Sequence, residues 1–468
     1  MLKTLKNIVT IPELRNKILF TLLMLLIYRL GYHITIPGAD QAAFAELAQK
    51  QAEDSGVAGR IQNYVSLFSG GDLSQSTIFG LGVMPYITAS IIFQLLITVV
   101  PALEKLQKEG ETGRRKIQEW TRYAAVPLAV VQAVLWISYM HSAGGQISLV
   151  QKAFQGTLVF WVTGVMCLTA GAVFLMWLGE QIDEYGLGNG ISLIILAGIV
   201  SRMPAAVFDL INKTNFTAAI DPTKTLTVGH ILALVVSFVV IVSGAILMTQ
   251  AQRRIPIQQA KHTRGRRIYG GQKQFLPLRV NHGGVMPVIF AQSIMMLPTI
   301  LLGGLLGLLP ATGFLHNTVQ ILNNEFSYGS FLYLITELAM IYFFAYFWTS
   351  VQFQPKEMAN QLRDSGAFVP GIRPGKRTAD YLERVMMRIT YVGAGFLCVI
   401  AVIPVTISTL LGIPPNIAIF LGGTGLLIVV SVALDMVQRI EANLLMRNYG
   451  GFLGGEQNKS KRIRGRSY

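Results

Sequence analysis

Apolar runs long enough to cross a bilayer recur along the whole chain, and they restrict the fold more than any other feature. A membrane-spanning helix needs about twenty such residues, and a backbone in lipid must satisfy its own hydrogen bonds. We number ten such runs as spans 1 to 10: 18–36, 75–100, 122–141, 156–178, 190–209, 229–250, 285–308, 329–351, 386–409 and 417–438. Charged residues are only 13% of the chain, against roughly a quarter in soluble proteins. The sequence therefore predicts an all-α polytopic membrane protein with ten transmembrane helices.

Lysine and arginine concentrate in every second loop. Basic clusters lie at 105–116, 253–279, 356–384 and 459–466, while the alternate loops carry only a scattering. Basic loops stay on the cytoplasmic side, so we expect both termini to be cytoplasmic. The predicted organisation is a cytoplasmic amphipathic N-terminus (1–17), an N-terminal half (18–209), an external hinge loop (210–228), a C-terminal half (229–438) with basic cytoplasmic loops at 251–284 and 352–385, and a cytoplasmic tail (439–468).

The string G-V-M-P-x-I occurs twice, at 82–87 in span 2 and at 284–289 in span 7. Chance is one explanation, because apolar spans draw on few residue types. The loop charges, however, orient span 2 from outside to inside and span 7 from inside to outside. Opposite orientation of matching helices is what an inverted repeat of five plus five spans requires, so we favour two inverted five-helix halves. Spans 2 and 7 then line the path between the halves.

The segment from Ile61 to Thr77 is too short and interrupted to span a bilayer, yet too apolar for an ordinary external loop. A re-entrant plug helix is one interpretation, because irregular backbone at membrane depth persists where protein surrounds it. An amphipathic helix on the outer surface is the alternative.

Ionisable residues, which bind ions or relay protons in pumps, are nearly absent from the spans. Glu337 in span 8 is the main exception, and we expect it to face water or a partner group. The path-lining spans instead carry aliphatic residues at helical spacing: Val83 and Ile87, Ile191 and Ile195, and Ile289. Ordinary packing explains such residues equally well at this stage.

The cytoplasmic loops carry no recognisable catalytic or nucleotide-binding motif. Residues 186–190 (GLGNG) lack the GxGxxG spacing, and we expect them to form a flexible start to span 5. We therefore expect no cofactor and no enzymatic activity. The basic loops around 264–267 and 373–377 contain Gly and Pro and are predicted to project as structured hairpins. Such hairpins suit acidic partners, including ribosomal RNA.

Four long motifs together carry a resemblance to a known family: MPYITASIIFQLL (84–96), GLGNGIS (186–192), GRRIYGGQKQFLPLRVN (265–281) and SGAFVPGIRPGKRTADYL (365–382). Over essentially its whole length the chain resembles the SecY family, the channel subunits of the bacterial Sec protein translocase. The resemblance implies two five-helix halves with a lateral gate between spans 2 and 7. It also implies an hourglass pore that is closed by an aliphatic ring and a plug helix.

The resemblance assigns residues to each part of such a channel. The pore ring falls on Val83, Ile87, Ile191, Ile195, Ile289 and Ile428, with Val83 in place of the isoleucine common in the family. The plug falls on Asn63, Tyr64, Val65, Ser66, Leu67, Phe68, Ser69, Gly70 and Gly71, within about residues 63–73. The lateral gate carries Thr88, Gln94, Gln132, Gln292 and Ser293. Partner docking falls on Arg266, Arg267 and Arg373.

The implied function is a protein-conducting channel in the bacterial inner membrane. It would pass unfolded preproteins outward after recognising their signal sequences, and it would release transmembrane segments sideways into lipid. The implied partners are SecE and SecG in the membrane, with the SecA motor or the ribosome supplying energy. A secondary transporter of a small solute is the rival, but it would need polar groups at the midplane, which the spans offer sparsely. An intramembrane enzyme lacks suitably spaced nucleophiles or metal ligands.

Overall fold

The computed structural model describes residues 12–43, 76–142, 150–151, 154, 157–215, 226–259, 262–264, 267–269, 273–292, 294–295, 298, 302, 313–326, 330–411 and 424–454. Helices dominate these residues. In the N-terminal half they are α1 (Pro12–Gly31), α2 (Met84–Val99), α3 (Pro101–Lys108), α4 (Glu111–Ser142), α5 (Leu158–Tyr185) and α6 (Gly190–Lys213). In the C-terminal half they are α7 (Val228–Gln250), α8 (286–292), α9 (Phe314–Glu325), α10 (Phe331–Gln352), α11 (Pro355–Asp364), α12 (Lys376–Leu411) and α13 (Thr424–Gly454).

Each of the ten predicted spans overlaps one of these helices, in the order α1, α2, α4, α5, α6, α7, α8, α10, α12 and α13. Within the described residues, length and composition alone identify five helices able to cross a membrane, or six if α2 and α3, bent by 99° at their junction, form one span. The apolar part of α6 is shorter, at Gly190–Ser201. The prediction of a polytopic helical membrane protein is confirmed.

Helix α7 shows how such a helix meets its surroundings. Its buried residues, Leu234, Ser237, Ile241, Ala245 and Met248, recur every three or four positions and form one stripe. The opposite face is apolar and exposed, with Leu232 at 69% and Leu247 at 71% exposure. An apolar surface of this kind is unfavourable in water and suits a helix that faces lipid.

Spans 1 and 2 are helical over less of their length than predicted. Helix α1 ends at Gly31, where a Cβ atom would lie 2.0 Å from the ring of Phe79. The backbone then runs extended beside the segment that precedes α2, with Ile36 N donating to Ser76 O and Ile78 N donating to Ile34 O, both at 2.9 Å. Residues 34–36 and 76–78 therefore bond to each other across the two segments, and the helices of spans 1 and 2 do not extend through them.

The two G-V-M-P copies adopt the same backbone conformation. Gly82 and Gly284 have φ of 55° and 58°, in the left-handed region that favours glycine. In each copy the isoleucine amide donates to the valine carbonyl four residues earlier, at 3.0 Å from Ile87 and 3.2 Å from Ile289. The proline of each copy lies at the start of the helix, where its missing N–H is tolerated. The shared geometry agrees with the predicted repeat.

Short strands lie in the loops, and they are β1 (Thr214–Asn215), β2 (Leu226–Thr227), β3 (Gln252–Gln259), β4 (His262–Arg264), β5 (Arg267–Tyr269), β6 (Lys273–Arg279) and β7 (Ala367–Phe368). In the loop predicted to be external, β1 pairs with β2. In the loop predicted to be cytoplasmic, β3 and β6 form an antiparallel hairpin, and β4 and β5 pair antiparallel within the same loop. The hairpin prediction for loop 251–284 is confirmed.

The prediction of a second, separate hairpin around 373–377 is wrong. Loop 352–385 forms α11, β7 and a turn before α12, and β7 pairs with the free edge of β3. Apolar side chains from both loops, such as Ile255, Leu278, Val369 and Leu382, are buried in one cluster. The two basic loops are thus one folded unit, which we call the cytoplasmic unit after its predicted location. Its β3–β7 pairing joins residues about a hundred positions apart.

The expectation of a flexible loop at 186–190 is also wrong. The Asp183 carboxylate accepts from Gly190 N at 2.7 Å, and the Asn189 side chain caps α6 by accepting from Ser192 N at 2.9 Å. Leu187 N donates to Thr21 Oγ1 of α1 at 3.0 Å. The segment is a packed turn that fixes the start of α6 against α5 and α1.

We expect Gly190→Ala to destabilise the protein. The added Cβ would lie 1.9 Å from Gly179 O, a backbone atom, so α5 and α6 would have to separate. Overpacking of this kind costs about 1–3 kcal/mol. Gly229→Ala is the matched control, because a Cβ there meets nothing within 4 Å. We measure the melting temperatures of the purified proteins in detergent. That of Gly190→Ala should be several degrees below wild type, and that of Gly229→Ala should equal wild type. Equal melting temperatures would contradict this reading.

Candidate pore and lateral gate

The six predicted ring residues lie in one hydrophobic cluster that joins the two halves of the chain. Val83, Ile195, Ile289 and Ile428 are buried, and Ile87 and Ile191 are half-buried and pack against that cluster. They come from α2, α6, α8 and α13, which are far apart in sequence. The structure therefore brings together side chains from four helices, a contact that helical spacing within one span cannot predict.

Five of these residues lie at or within the first two turns of their helices. Val83 is the N-cap of α2, and Ile87 follows one turn later. Ile191 and Ile195 begin α6 directly after the packed turn at 186–190. Ile289 follows the Gly284 turn on α8. Ile428 lies on α13, whose described part begins at Thr424. The turns that start the helices thus position the aliphatic side chains.

A set of aliphatic side chains can form a constriction that water wets poorly and that makes no directional bonds with a passing chain. The same cluster also contains ordinary core residues, including Tyr28, Leu178 and Phe344. Burial in this cluster does not by itself separate pore residues from core residues. The ring assignment remains a prediction.

The predicted gate residues have the following partners. On α2, Thr88 Oγ1 donates to Met84 O at 2.9 Å, and Gln94 Nε2 donates to Ser90 Oγ at 3.5 Å. Gln132 is half-buried on α4. Gln292 is buried on α8, and Ser293 lies outside the described residues. The gate assignment therefore remains a prediction.

The partner of Gln292 is Glu337, the carboxylate to which the sequence assigned no role. Gln292 Nε2 donates to Glu337 Oε1 at 3.2 Å, which links α8 to α10. Glu337 is 3% exposed, so it faces a partner, in agreement with one of the two expectations. Local sequence carried no signal for this pair, because the two residues are 45 positions apart. A lone carboxylate in one apolar span and a lone amide in another were the only hints.

Arg373, one of the arginines predicted to dock partners, lies on the cytoplasmic unit. Arg373 is exposed in a turn between Gly371 (φ 83°) and Gly375 (φ 105°). Its carbonyl accepts from Thr378 Oγ1 at 3.0 Å, and its neighbour Ile372 packs against the buried cluster of the unit. The backbone at this arginine is therefore held while its side chain faces solvent.

The other predicted positions give less information. Arg267 opens β5 and pairs in register with Arg264, and Arg266 lies outside the described residues. The plug segment, residues 63–73, also lies outside them. Among the residues that are described, no group of three His, Cys, Asp or Glu side chains is arranged to hold a metal ion.

Comparison with known proteins identifies relatives over the full chain. The SecY family profile matches residues 77–437. The protein translocase subunit SecY of Thermotoga maritima is 39% identical over 466 residues, which cover 100% of both chains. These matches agree with the resemblance that the four sequence motifs carry.

Solved structures confirm the predicted fold class. A SecY channel, described as one whose plug domain stabilises the closed state and maintains a membrane seal, matches with a TM-score of 0.59 and 18% identity over 95% of each chain. Sec61 in the canine ribosome–channel complex matches with a TM-score of 0.54 and 16% identity, again over 95% of each chain. At these identities the likeness concerns the fold alone.

Proposed function

The chain belongs to the SecY family, and we propose on that basis that it is a protein-conducting channel, which passes unfolded secretory proteins across the membrane and releases transmembrane segments sideways into lipid. The observation that carries this proposal is the full-length identity of 39% to a protein translocase subunit. The path runs between the N-terminal and C-terminal halves. The six aliphatic ring residues on α2, α6, α8 and α13 close it at rest.

The physical character of the closure supports this proposal over a small-solute transporter. A transporter binds its solute through polar groups at the midplane of broken helices. Here the ring residues on α2, α6, α8 and α13 are aliphatic and lie in one hydrophobic cluster. Such side chains suit a passage that must accept many different sequences. Residues 63–73 are proposed as the plug on the outer side of this constriction, by analogy with the related SecY channel whose plug maintains a seal.

The partners and location follow from the family in the same way. We assign the chain to the bacterial inner membrane, with both termini cytoplasmic, in complex with SecE and SecG. The cytoplasmic unit built from loops 251–284 and 352–385 is the docking surface for the SecA motor or the ribosome. A related channel, canine Sec61, forms a complex with the ribosome, and exposed arginines suit contacts with phosphate or carboxylate groups.

The proposal is tested by crosslinking a stalled secretory precursor to the channel. A photoreactive amino acid at Ile87 or Ile289 should crosslink to the precursor, because both positions are assigned to the path. Leu232 and Leu247, which are exposed on α7 at 69% and 71%, are control positions facing lipid. Crosslinks at the path positions and none at the control positions are expected. Absence of crosslinks at the path positions, or equal yields at all four, would overturn the proposal.

Making the ring polar should open the resting channel to ions. In the double variant Ile87→Asn with Ile289→Asn, each buried amide favours a wet over a dry constriction by about 1–3 kcal/mol. The resting open probability in planar bilayers should therefore rise at least about tenfold. Ile137→Asn puts an amide into a separate buried cluster and should leave the conductance unchanged. The ring assignment is wrong if the double variant stays as closed as wild type.

Reversing the charge at Arg373 should block transport without changing insertion. Truncating one partner of a hydrogen-bonded charge pair at an interface costs about 2–5 kcal/mol. Arg373→Glu should therefore lower precursor transport at least about tenfold, and it should lower ATP hydrolysis by the SecA motor on the channel by a similar factor. Arg363→Glu is the matched control, since Arg363 is exposed on the same cytoplasmic unit. Arg464→Glu in the tail is a second control.

Reconstituted vesicles provide these measurements, and protease accessibility checks the topology of each variant. Both controls should transport at wild-type rates. If all three variants behave alike, Arg373 contributes only to topology and the docking assignment falls.

A further inference from the structure

A buried carboxylate lies beside the predicted gate helix and has no part in the function proposed above. Glu337 on α10 is 3% exposed, and Gln292 on α8 is 9% exposed. A single hydrogen bond of 3.2 Å, from Gln292 Nε2 to Glu337 Oε1, joins them. An ionisable side chain within a membrane helix is unfavourable and generally has a specific role, with its bonding partner as the first indication of that role.

The Glu337 end of this bond belongs to a rigid support. Helix α10 packs along α12, and Thr390 Oγ1 donates to Thr349 Oγ1 at 3.2 Å between them. One residue beyond Glu337, the Leu338 carbonyl lies 3.8 Å from Cys398 Sγ of α12. These contacts do not involve α8, so Glu337 keeps its place independently of the gate helix.

The Gln292 end belongs to the helix that carries the ring. Gln292 follows Ile289 by three residues, which places the two side chains about one turn apart on α8. Aromatic contacts also join α8 to α10, since the Phe290 ring lies 5.7 Å from Phe344 and 5.4 Å from Trp348. Such contacts tolerate sliding and rotation, whereas a hydrogen bond weakens steeply when its distance or angle changes.

We propose that Glu337 is a positioning residue for α8: its carboxylate holds the Gln292 amide against the body of the C-terminal half and thereby keeps Ile289 in the closed constriction. This inference rests on the proposed function, which makes α8 a pore and gate helix. When α8 moves aside, the amide and the carboxylate separate and each gains access to water in the open path. Their bond therefore stabilises the closed position alone.

Leucine variants at the two positions test this bond. Glu337→Leu removes this partner of Gln292, and Gln292→Leu removes the partner of Glu337. In the closed state each single variant keeps one of the two polar groups buried without this bond, which is unfavourable. Opening removes this cost because the group then reaches water. We expect amide hydrogen exchange over residues 286–292, measured in lipid nanodiscs, to rise about tenfold in each, a change equal to about 1.4 kcal/mol. The resting ion conductance should rise with it.

Three further variants should restore the closed state. Glu337→Gln keeps an oxygen acceptor for the Gln292 amide. The exchanged pair Gln292→Glu with Glu337→Gln keeps one amide and one carboxylate with the donor reversed. The double variant Gln292→Leu with Glu337→Leu leaves neither polar group behind. Thr336→Val is the control on the same helix, because the Thr336 hydroxyl donates only within α10, to Leu332 O at 2.8 Å.

The pattern across the variants decides the proposal. Raised exchange in the two single leucine variants, with near wild-type exchange in the other four, supports it. Leucine variants that match Thr336→Val overturn it, and so does an exchanged pair or double leucine variant that is as open as the singles. If Glu337→Leu cannot be purified, Gln292→Leu decides: raised exchange in a folded channel supports the bond, and exchange equal to that of Thr336→Val overturns it.

Failure of this inference and failure of the proposed function are distinguishable. Hydrogen exchange requires no transport substrate, so it reports on α8 even in a protein that passes no precursor. A wild-type channel that gives no precursor crosslinks refutes the proposed function while leaving the positioning role intact. A channel that gives the crosslinks but shows no exchange pattern refutes the positioning role alone.

Discussion

The structure depends on one constraint, that backbone amides and carbonyls within a membrane must find hydrogen bonds inside the protein. Helices meet this constraint along their length, and only their interruptions need further explanation. The interruption before α2 meets it by pairing residues 34–36 with residues 76–78 of the neighbouring segment. The interruption before α8 meets it in part through Asn281, whose side-chain amide donates to Gly284 O at 2.8 Å. The break before α2 is mostly buried and the break before α8 is mostly half-buried, and both lead directly into helices that share one hydrophobic cluster.

These interruptions explain why most residues of the proposed closure lie where helices begin. A left-handed glycine followed by a proline in the first helical turn fixes the direction of α2 and α8. The turn thereby positions the aliphatic side chains that follow it in the common cluster. On α6 the packed turn at 186–190 has the same effect on Ile191 and Ile195. The closure therefore follows from backbone geometry, and the side chains are free to be simple and apolar.

Local pattern predicted what depends on local physics. Each of the ten spans that hydropathy predicted overlaps a helix, and the two copies of the G-V-M-P string, which predicted a repeat, share a left-handed glycine at Gly82 and Gly284. Hydropathy predicted starts for α4 and α12 that are too late in the chain. The charged first turns of these helices are helical but do not belong to the apolar run. The β3–β7 pairing and the Gln292–Glu337 bond were missed because each joins residues distant in sequence. Long-range pairs of this kind leave no periodic signal in a single sequence.

A channel for unfolded chains has two requirements that a single kind of interaction cannot meet. The constriction must yield to any side chain, which favours apolar contacts without preferred geometry. The closed state must nevertheless be a single arrangement to which the helices return, which requires at least one interaction with narrow geometry. The aliphatic ring proposed above meets the first requirement. The proposed role of the Gln292–Glu337 hydrogen bond, one turn from Ile289, meets the second, because opening would separate its two groups. Under that proposal, the need for one interaction with narrow geometry accounts for the buried carboxylate of Glu337 in a chain so poor in intramembrane charge.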